Sequence, residues 1–424
     1  MADGSVKLTE EARAKAYATP LKDFHVADSE LFRTDTWQPW FERLRAEDPV
    51  HHTESSEFGP YWSVTKYQDI VAVEGNHKVF SSDAEEGGIT IFEPPEERMR
   101  ESRDRTSFIA LDPPMHDNQR KVVSPMFTSA AINGMEPLIR ERAGKILDEL
   151  PVGEPFDFVD KVAIELTSQM LATLFDFPFE ERRLLPRCSD LLLAFDVNAT
   201  PEQELARQAE MFNTLTKMTQ LWDQRAGKGG TDDLISLLAN DPATKKDDDP
   251  LRYVGNLILL IVAGSDTTRH SITGGLIAFN KNPDAYERLR KNPELLASAV
   301  PEIIRWQSPV AHMRRTPLQD TEIGGKTIRK GEKVIMWYVS GNRDEEMIEA
   351  PESFIIDRER PRQHVGFGFG IHRCLGQRLA EMQLRVVWEE MLKRFSFIEM
   401  TGEPERMRNN FVKGYLSLQA KAVA

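Results

Sequence analysis

Apolar residues recur at helical spacing over most of the chain and at strand spacing over a smaller part. A short amphipathic helix is expected from Trp37 to Ala46. Apolar, aromatic and β-branched runs at Val50–Thr53 and Tyr61–Thr65 read as strands, bounded by Asp48-Pro49 and Gly59-Pro60. Residues 81–107 are charged and broken by Gly87-Gly88 and Pro94-Pro95, with an apolar island at Ile89–Phe92. They read as a long mobile loop of the kind that carries function. From Met115 to Leu238 helical spacing dominates, and Thr200-Pro201-Glu202 marks a helix start, with Thr as N-cap and Pro at the first helical position. A polar break at Asp241–Pro250 precedes a long helix from about Leu251 to Asn280. Helix Pro293–Ser308 follows and is ended by Pro309. Strand patterning covers 321–339, with turns at Gly324-Gly325 and Lys330-Gly331. The stretch 341–373 has few helix signals, Leu375–Arg394 reads as a helix, and 395–424 as short strands.

The fold class is therefore mainly α with a minor β part, without the alternating rhythm of a doubly wound sheet. No Pro/Gly/Ser linker divides the chain. The expected organisation is an N-terminal surface leader over residues 1–36 and a single domain over 37–424. Composition narrows the function classes. A chain of 424 residues, 40% hydrophobic, can build a core without disulfide staples. Its 54 Lys and Arg against 68 Asp and Glu leave a net charge of −14, which argues against nucleic acid as a general partner. Cys188 and Cys374 cannot form a disulfide framework, which fits a reducing, cytoplasmic setting. Met1–Glu11 shows no signal-peptide pattern. The longest apolar run, Leu257–Ala263, falls far short of the roughly 20 residues of a membrane span.

The chemistry concentrates around Cys374. The run Phe367-Gly368-Phe369-Gly370-Ile371-His372-Arg373-Cys374-Leu375-Gly376 precedes a helix. Its glycines allow tight turns and close approach by a flat partner. A cysteine at a helix N-terminus is favoured as thiolate. With no second thiol nearby, it suits a single axial sulfur ligand to haem iron rather than a zinc site. Phe367, Gly370, Cys374 and Gly376 match the Phe-x-x-Gly-x-x-x-Cys-x-Gly signature, and the chain resembles the cytochrome P450 family from about Trp37 to its end.

Further segments carry the same resemblance. Glu302 and Arg305, one helical turn apart and roughly seventy residues before Cys374, resemble the family's Glu-x-x-Arg pair, a structural tie for the thiolate loop. Pro351-Glu352-Ser353-Phe354 resembles the meander that follows, with Ser353 where an Arg is common, which would weaken one contact. Ala263-Gly264-Ser265-Asp266-Thr267-Thr268 places poor helix formers inside the long helix after a strongly apolar run. By resemblance it is the oxygen-binding groove, with Asp266 relaying protons and Thr267 hydrogen-bonding the bound oxygen. His116 and Arg120 on one helix face, Arg315 and His372 match propionate-contacting positions. His51, His52, His77 and His270 have no such match, and Cys188 reads as a structural thiol.

The resemblance implies a fold with a long central helix over haem b (iron protoporphyrin IX), and insertion of one atom of O2 into a C–H bond. The chain carries no nicotinamide or flavin fingerprint and no cluster-binding cysteine set. A separate ferredoxin and ferredoxin reductase are therefore implied, with NAD(P)H as ultimate donor. An acidic ferredoxin needs a basic patch, for which Arg120, Lys121, Arg373 and Arg378 are candidates. A monomer is expected. Leu259, Val262 and Ala263 on the long helix, with Ala311, Phe411 and Val412 by resemblance, form an apolar pocket for an apolar substrate. Several stretches, including Phe58–Val64, Gly87–Ile91, Thr268–Gly275 and His312–Thr316, look most like the bacterial alkane and fatty-acid terminal hydroxylases. A steroid or terpenoid hydroxylase is the enzymatic alternative, and a non-catalytic haem-thiolate sensor the alternative of another class.

Overall fold

The computed structural model describes residues 2–93, 107–193, 200–230, 232–244 and 252–424. Its axis is the central helix Arg252–Lys281. The apolar run before Gly264 seeds it, and Asn282-Pro283 ends it and opens the next helix. Gly264 lets the helix Glu165–Leu174 approach closely, because a Cβ there would lie 2.7 Å from Leu171 Cδ2. The helix Gln377–Arg394 buries Leu379, Met382, Val386, Val387 and Met391 at helical spacing. It packs along helix Ser129–Asp148. The polar margins of that pair meet through Arg140 with Glu389 and Glu390, Arg385 with Glu136, and Arg394 with Asp148. The helix start at Thr200 is a full capping box, with the Thr200 side chain and Gln203 each bonding the other's backbone N–H.

Among the described residues, twelve short strands form the β part. The largest sheet has the order β1 (Val50–Thr53), β2 (Tyr61–Val64), β8 (Val334–Trp337), β5 (His312–Pro317), β3 (Phe80–Ser81). β1 and β2 are antiparallel with Val50 opposite Val64, and β2 runs parallel to β8 with Ser63 opposite Ile335. β6 (Thr321–Ile323) and β7 (Lys326–Ile328) make a hairpin over Gly324-Gly325. β12 (Gln419–Val423) lies between β4 (Pro155–Asp157) and β9 (Phe397–Met400), and β10 (Glu405–Arg406) pairs with β11 (Tyr415–Ser417). Alternation along β8 splits the core. Ile335 and Trp337 join Phe24, Phe32, Trp37 and Phe41 on one face, while Val334 and Met336 join Val50, Val64, Ile70 and Val73 on the other.

Three expectations are corrected. The leader is not confined to the surface. Its helix Ala2–Ala18 buries Ala12 and Ala16, and Phe24, Val26, Ala27 and Phe32 are fully buried against the sheet. The averaged polarity of 1–36 hides these few apolar residues. The strand β5 lies where no strand was read, because His312, Arg314 and Arg315 interrupt the apolar alternation. Of the loop 81–107, residues 94–106 lie outside the described residues, and residues 89–93 are held to β5. Arg314 N donates to Ile89 O at 2.8 Å, and Arg314 and Lys333 pair with Glu93 at 2.6 and 3.3 Å. Most of the polar break and Leu251 also lie outside the described residues. Among the described residues no helix is long and apolar enough to cross a membrane.

Candidate functional site

A deep, mostly apolar cavity lies between the central helix and the loop that precedes helix Gln377–Arg394. The space between its walls, mouth included, is about 1480 Å³. One wall is the cysteine loop, with Phe367, Gly368, His372, Cys374 and Gly376. Cys374 N donates to Phe367 O at 2.9 Å, closing the loop on itself. Cys374 is exposed into the cavity, and Gly376 leaves open space beside it. Burial pushes the Cys374 thiol up, against the pull of the Gly376 N–H, Arg120, Arg373 and the Gln377 N–H. The pull toward thiolate expected at the helix N-terminus is present in the Gly376 and Gln377 N–H groups and is opposed by desolvation. A metal cation at the sulfur reverses such a balance.

The cavity edge carries cations and imidazoles. Arg120 and Arg315 line it, and Arg120 Nη2 donates to Arg373 O at 2.6 Å. His372 also lines it and His116 lies behind, their rings 4.4 Å apart. Burial pushes His116 down, and His372 down to about 2. One nitrogen of each ring is engaged, His116 Nδ1 with Asp117 and His372 Nε2 with Ser82, both at 2.8 Å. His116 Nε2 and His372 Nδ1 are buried without a partner. Unsatisfied buried nitrogens beside two guanidiniums call for an acidic group in the cavity. A lone thiol facing an apolar slot, with such an edge, fits a haem and its propionates.

The opposite wall is the central helix, contributing Leu259, Leu260, Ala263, Gly264 and Thr267. The helix continues through Gly264–Thr268, where hydroxyls bond back to carbonyls: Thr267 Oγ1 to Ala263 O and Ser271 Oγ to Thr267 O, each at 2.7 Å. Asp266 is not on the cavity wall. It is fully buried toward helix Leu184–Leu193, accepting from Ser189 Oγ at 2.8 Å and pairing with Arg269 Nη2 at 2.8 Å. Arg269 is shared with Asp190 at 2.5 Å. Burial pushes Asp266 up to about 6, with Asp190 adding and Arg269 opposing. Cys188 is buried near Asp266, and burial pushes its thiol up to about 12, in keeping with a structural thiol.

Of the expected pocket residues, Leu259 and Ala263 line the cavity, while Val262, Ala311, Phe411 and Val412 do not. Ala311 is buried among the N-terminal aromatics, and the Phe411 ring packs on His312, 5.4 Å away. Val412 stands behind Val310, its bridge partner, which does line the cavity. Phe108, Ile109, Met313 and Glu74 line it too and were not expected. Met313 and Arg315 share one side of β5, a periodicity legible only once the strand is known. Glu74 had a signal, since it falls on the same helix face as Ile70 and Val73.

Glu302 and Arg305 meet as expected, Nε to Oε2 at 2.7 Å and Nη2 to Oε1 at 2.8 Å, both buried. Arg305 also donates to the carbonyls of Asn342, Pro351 and Ser353. The contact expected to be weakened by Ser353 is supplied by Arg358, which reaches Glu302 Oε2 at 2.9 Å and Ser353 O at 2.8 Å.

A family model for cytochrome P450 matches residues 40–422. Linalool 8-monooxygenase of Pseudomonas putida is 37% identical over 394 residues, covering 90% of this chain and 95% of that protein. Among solved structures, cytochrome P450-153 from Novosphingobium aromaticivorans is 42% identical with a TM-score of 0.87, over 95% of this chain and 99% of that one. CYP153D17 from Sphingomonas sp. PAMC 26605 is 43% identical with a TM-score of 0.88, over 96% of this chain and 100% of that one.

Proposed function

This chain belongs to the cytochrome P450 family, and from that premise we propose that it hydroxylates the terminal carbon of an alkane or fatty acid. Haem b, when bound, supplies the activation of O2 from which one atom enters the substrate C–H bond. Cys374 would ligate its iron through Sγ. His116, Arg120, Arg315 and His372 would hold its propionates. Thr267, which lines the cavity with its hydroxyl bonded back to Ala263 O, would act on the oxygen side, and Asp266 would take up and release a proton behind the same helix turn.

The observation that carries the substrate reading is the cavity itself. The walls given by Leu259, Ala263, Val310, Met313, Phe108 and Ile109 offer no charge to anchor a polar substrate. Each buried CH₂ contributes about 0.8 kcal/mol, so an eight-carbon chain gains ~6 kcal/mol from burial alone. Terminal attack has to come from shape, because a primary C–H bond is stronger than its secondary neighbours. Leu259, Ala263 and Met313 are the side chains that would admit only a chain end. The two 153-type neighbours, with the monooxygenase relatives, support hydroxylation of an apolar substrate. The relative named for oxidising linalool supports a terpenoid hydroxylase as the second reading. Electrons would come from a ferredoxin and its reductase, and exposed Lys121, Arg373 and Arg378 beside the cysteine loop suit an acidic partner.

Reconstitution with a ferredoxin, its reductase and NADH tests the whole reading. The reduced carbon monoxide complex should show the red-shifted Soret band of thiolate ligation, lost in Cys374→Ala. Gas chromatography of products from alkane, fatty-acid and terpenoid series should show terminal alcohols from unbranched chains. In-chain products, or turnover of terpenoids or steroids alone, would sink the terminal-hydroxylase reading and leave the haem-thiolate one standing.

A further inference from the structure

We propose that Glu74 is a positioning residue for the haem site, a buried carboxylate that fixes the cysteine loop and aims Arg315 at once; the proposal rests on the haem-thiolate reading above. Glu74 lies in the last turn of the helix Tyr67–Gly75 and is 3% exposed. Its carboxylate accepts from three separate segments: the Phe369 N–H of the cysteine loop, the Tyr338 hydroxyl just after β8, and Arg315 Nη2 of β5 at 3.1 Å. Every group facing it is a donor. Burial pushes the Glu74 carboxyl up, against the pull of Arg315, the Tyr338 hydroxyl and the Phe369 N–H; its ionised form is acceptor-only and satisfies all of them, whereas an amide of the same shape turns an N–H toward donors.

The backbone repeats the contact. Gly370 has φ 65°, and a Cβ there would lie 2.3 Å from Glu74 O. The glycine of the signature is thus needed to seat the loop on this helix end. Phe369 lies between the two ends of the loop that Cys374 N and Phe367 O close. Fixing Phe369 therefore fixes where Cys374 sits. Arg315 is held on its other side by Nη1 to Arg314 O at 2.7 Å, so Glu74 sets the rotation of the guanidinium facing the cavity and offsets its charge. One side chain thus couples the thiol side of the site to its acid-binding edge, the role that outer partners play in holding metal ligands.

The test uses the haem-loaded protein, wild type beside Glu74→Gln and Glu74→Asp. Two quantities are read: the reduction potential of the haem, and the rate of haem transfer to apomyoglobin. Glu74→Gln should release haem about tenfold to a hundredfold faster. It should also shift the potential to more positive values, since a negative charge near the site is lost. Glu74→Asp should recover much of the potential, because the charge returns while reach is shorter. An unchanged potential and release rate in Glu74→Gln would overturn the proposal. So would equal potentials in the Gln and Asp variants, which would reduce Glu74 to packing. If Glu74→Gln does not fold, Tyr338→Phe removes one donor and keeps the ring; faster haem release supports the latch, and an unaltered rate overturns it. A wild type without the thiolate Soret band would defeat the haem-thiolate reading itself. A normal wild-type band with unaltered variants defeats only the role of Glu74.

Discussion

The carboxyl of Asp266 leaves the central helix toward Ser189 and Arg269, away from the cavity that its neighbour Thr267 lines. For the proposed reaction this separates storage of a proton from its use. Burial raises Asp266 from its ordinary 3.8 to about 6, so it is protonated below that value and still exchanges protons near neutrality. Turnover should therefore fall as pH rises through about 6, and that limb should flatten in Asp266→Asn. The same variant should lose about a hundredfold or more in kcat, the usual scale of a positioned general acid. In Thr267→Ala, haem and substrate should still bind, but product formed per NADH consumed should drop as reduced oxygen escapes as peroxide. A pH profile unmoved by Asp266→Asn, or unchanged coupling in Thr267→Ala, removes that residue from the mechanism.

The helix Leu296–Gln307 holds the meander that precedes the cysteine loop through polar contacts that run over a long stretch of chain. Glu302 accepts from Arg305, from Arg358 and from Ile355 N at 2.8 Å, and Arg305 closes three carbonyls of the meander. In a buried cluster the cost of deletion is set by what is left unpaired. Arg305→Ala should cost about 3–5 kcal/mol, since it strands Glu302 and several carbonyls. Arg358→Ala should cost about 1.5–3 kcal/mol, the scale of a hydrogen bond to a charged group. Urea unfolding of the haem-loaded variants measures both, and equal costs would contradict this division of labour.

Across the whole molecule, the sheet carries a second core that depends on the N-terminal segment. Phe32 stacks between Trp37 and Trp337, with ring centroids 6.3 and 6.1 Å away, and Phe24 packs on Trp40 at 4.9 Å. Phe32→Ala should therefore destabilise by about 3–5 kcal/mol. By contrast, Arg13→Ala, which removes an exposed pair with Glu42, should change stability by less than about 1 kcal/mol. Thermal unfolding of the two variants compares them, and a neutral Phe32→Ala would return residues 1–36 to the status of a surface leader.

Helices, caps and the cysteine signature were legible along the chain because each depends on residues within a turn or two of one another. The Thr200 N-cap, the helix Gln377–Arg394 and the turn at Gly324-Gly325 are of this kind. So is the Glu302–Arg305 pair, since three residues apart on a helix is already contact. Tertiary structure decided what depends on distant partners. β5 exists because Arg314 and Arg315 pair with Ile335 and Val334, and no local pattern states that. Arg358 stands in for the missing arginine at Ser353 because the meander folds back onto Glu302. Ala311, Phe411 and Val412 left the expected pocket because side-chain direction follows from neighbours far away in sequence. Burial is the common cause: it sets the direction of Cys374 and Asp266, and it makes Glu74 a shared acceptor for three segments, and burial is a property of the packed molecule rather than of any stretch of sequence.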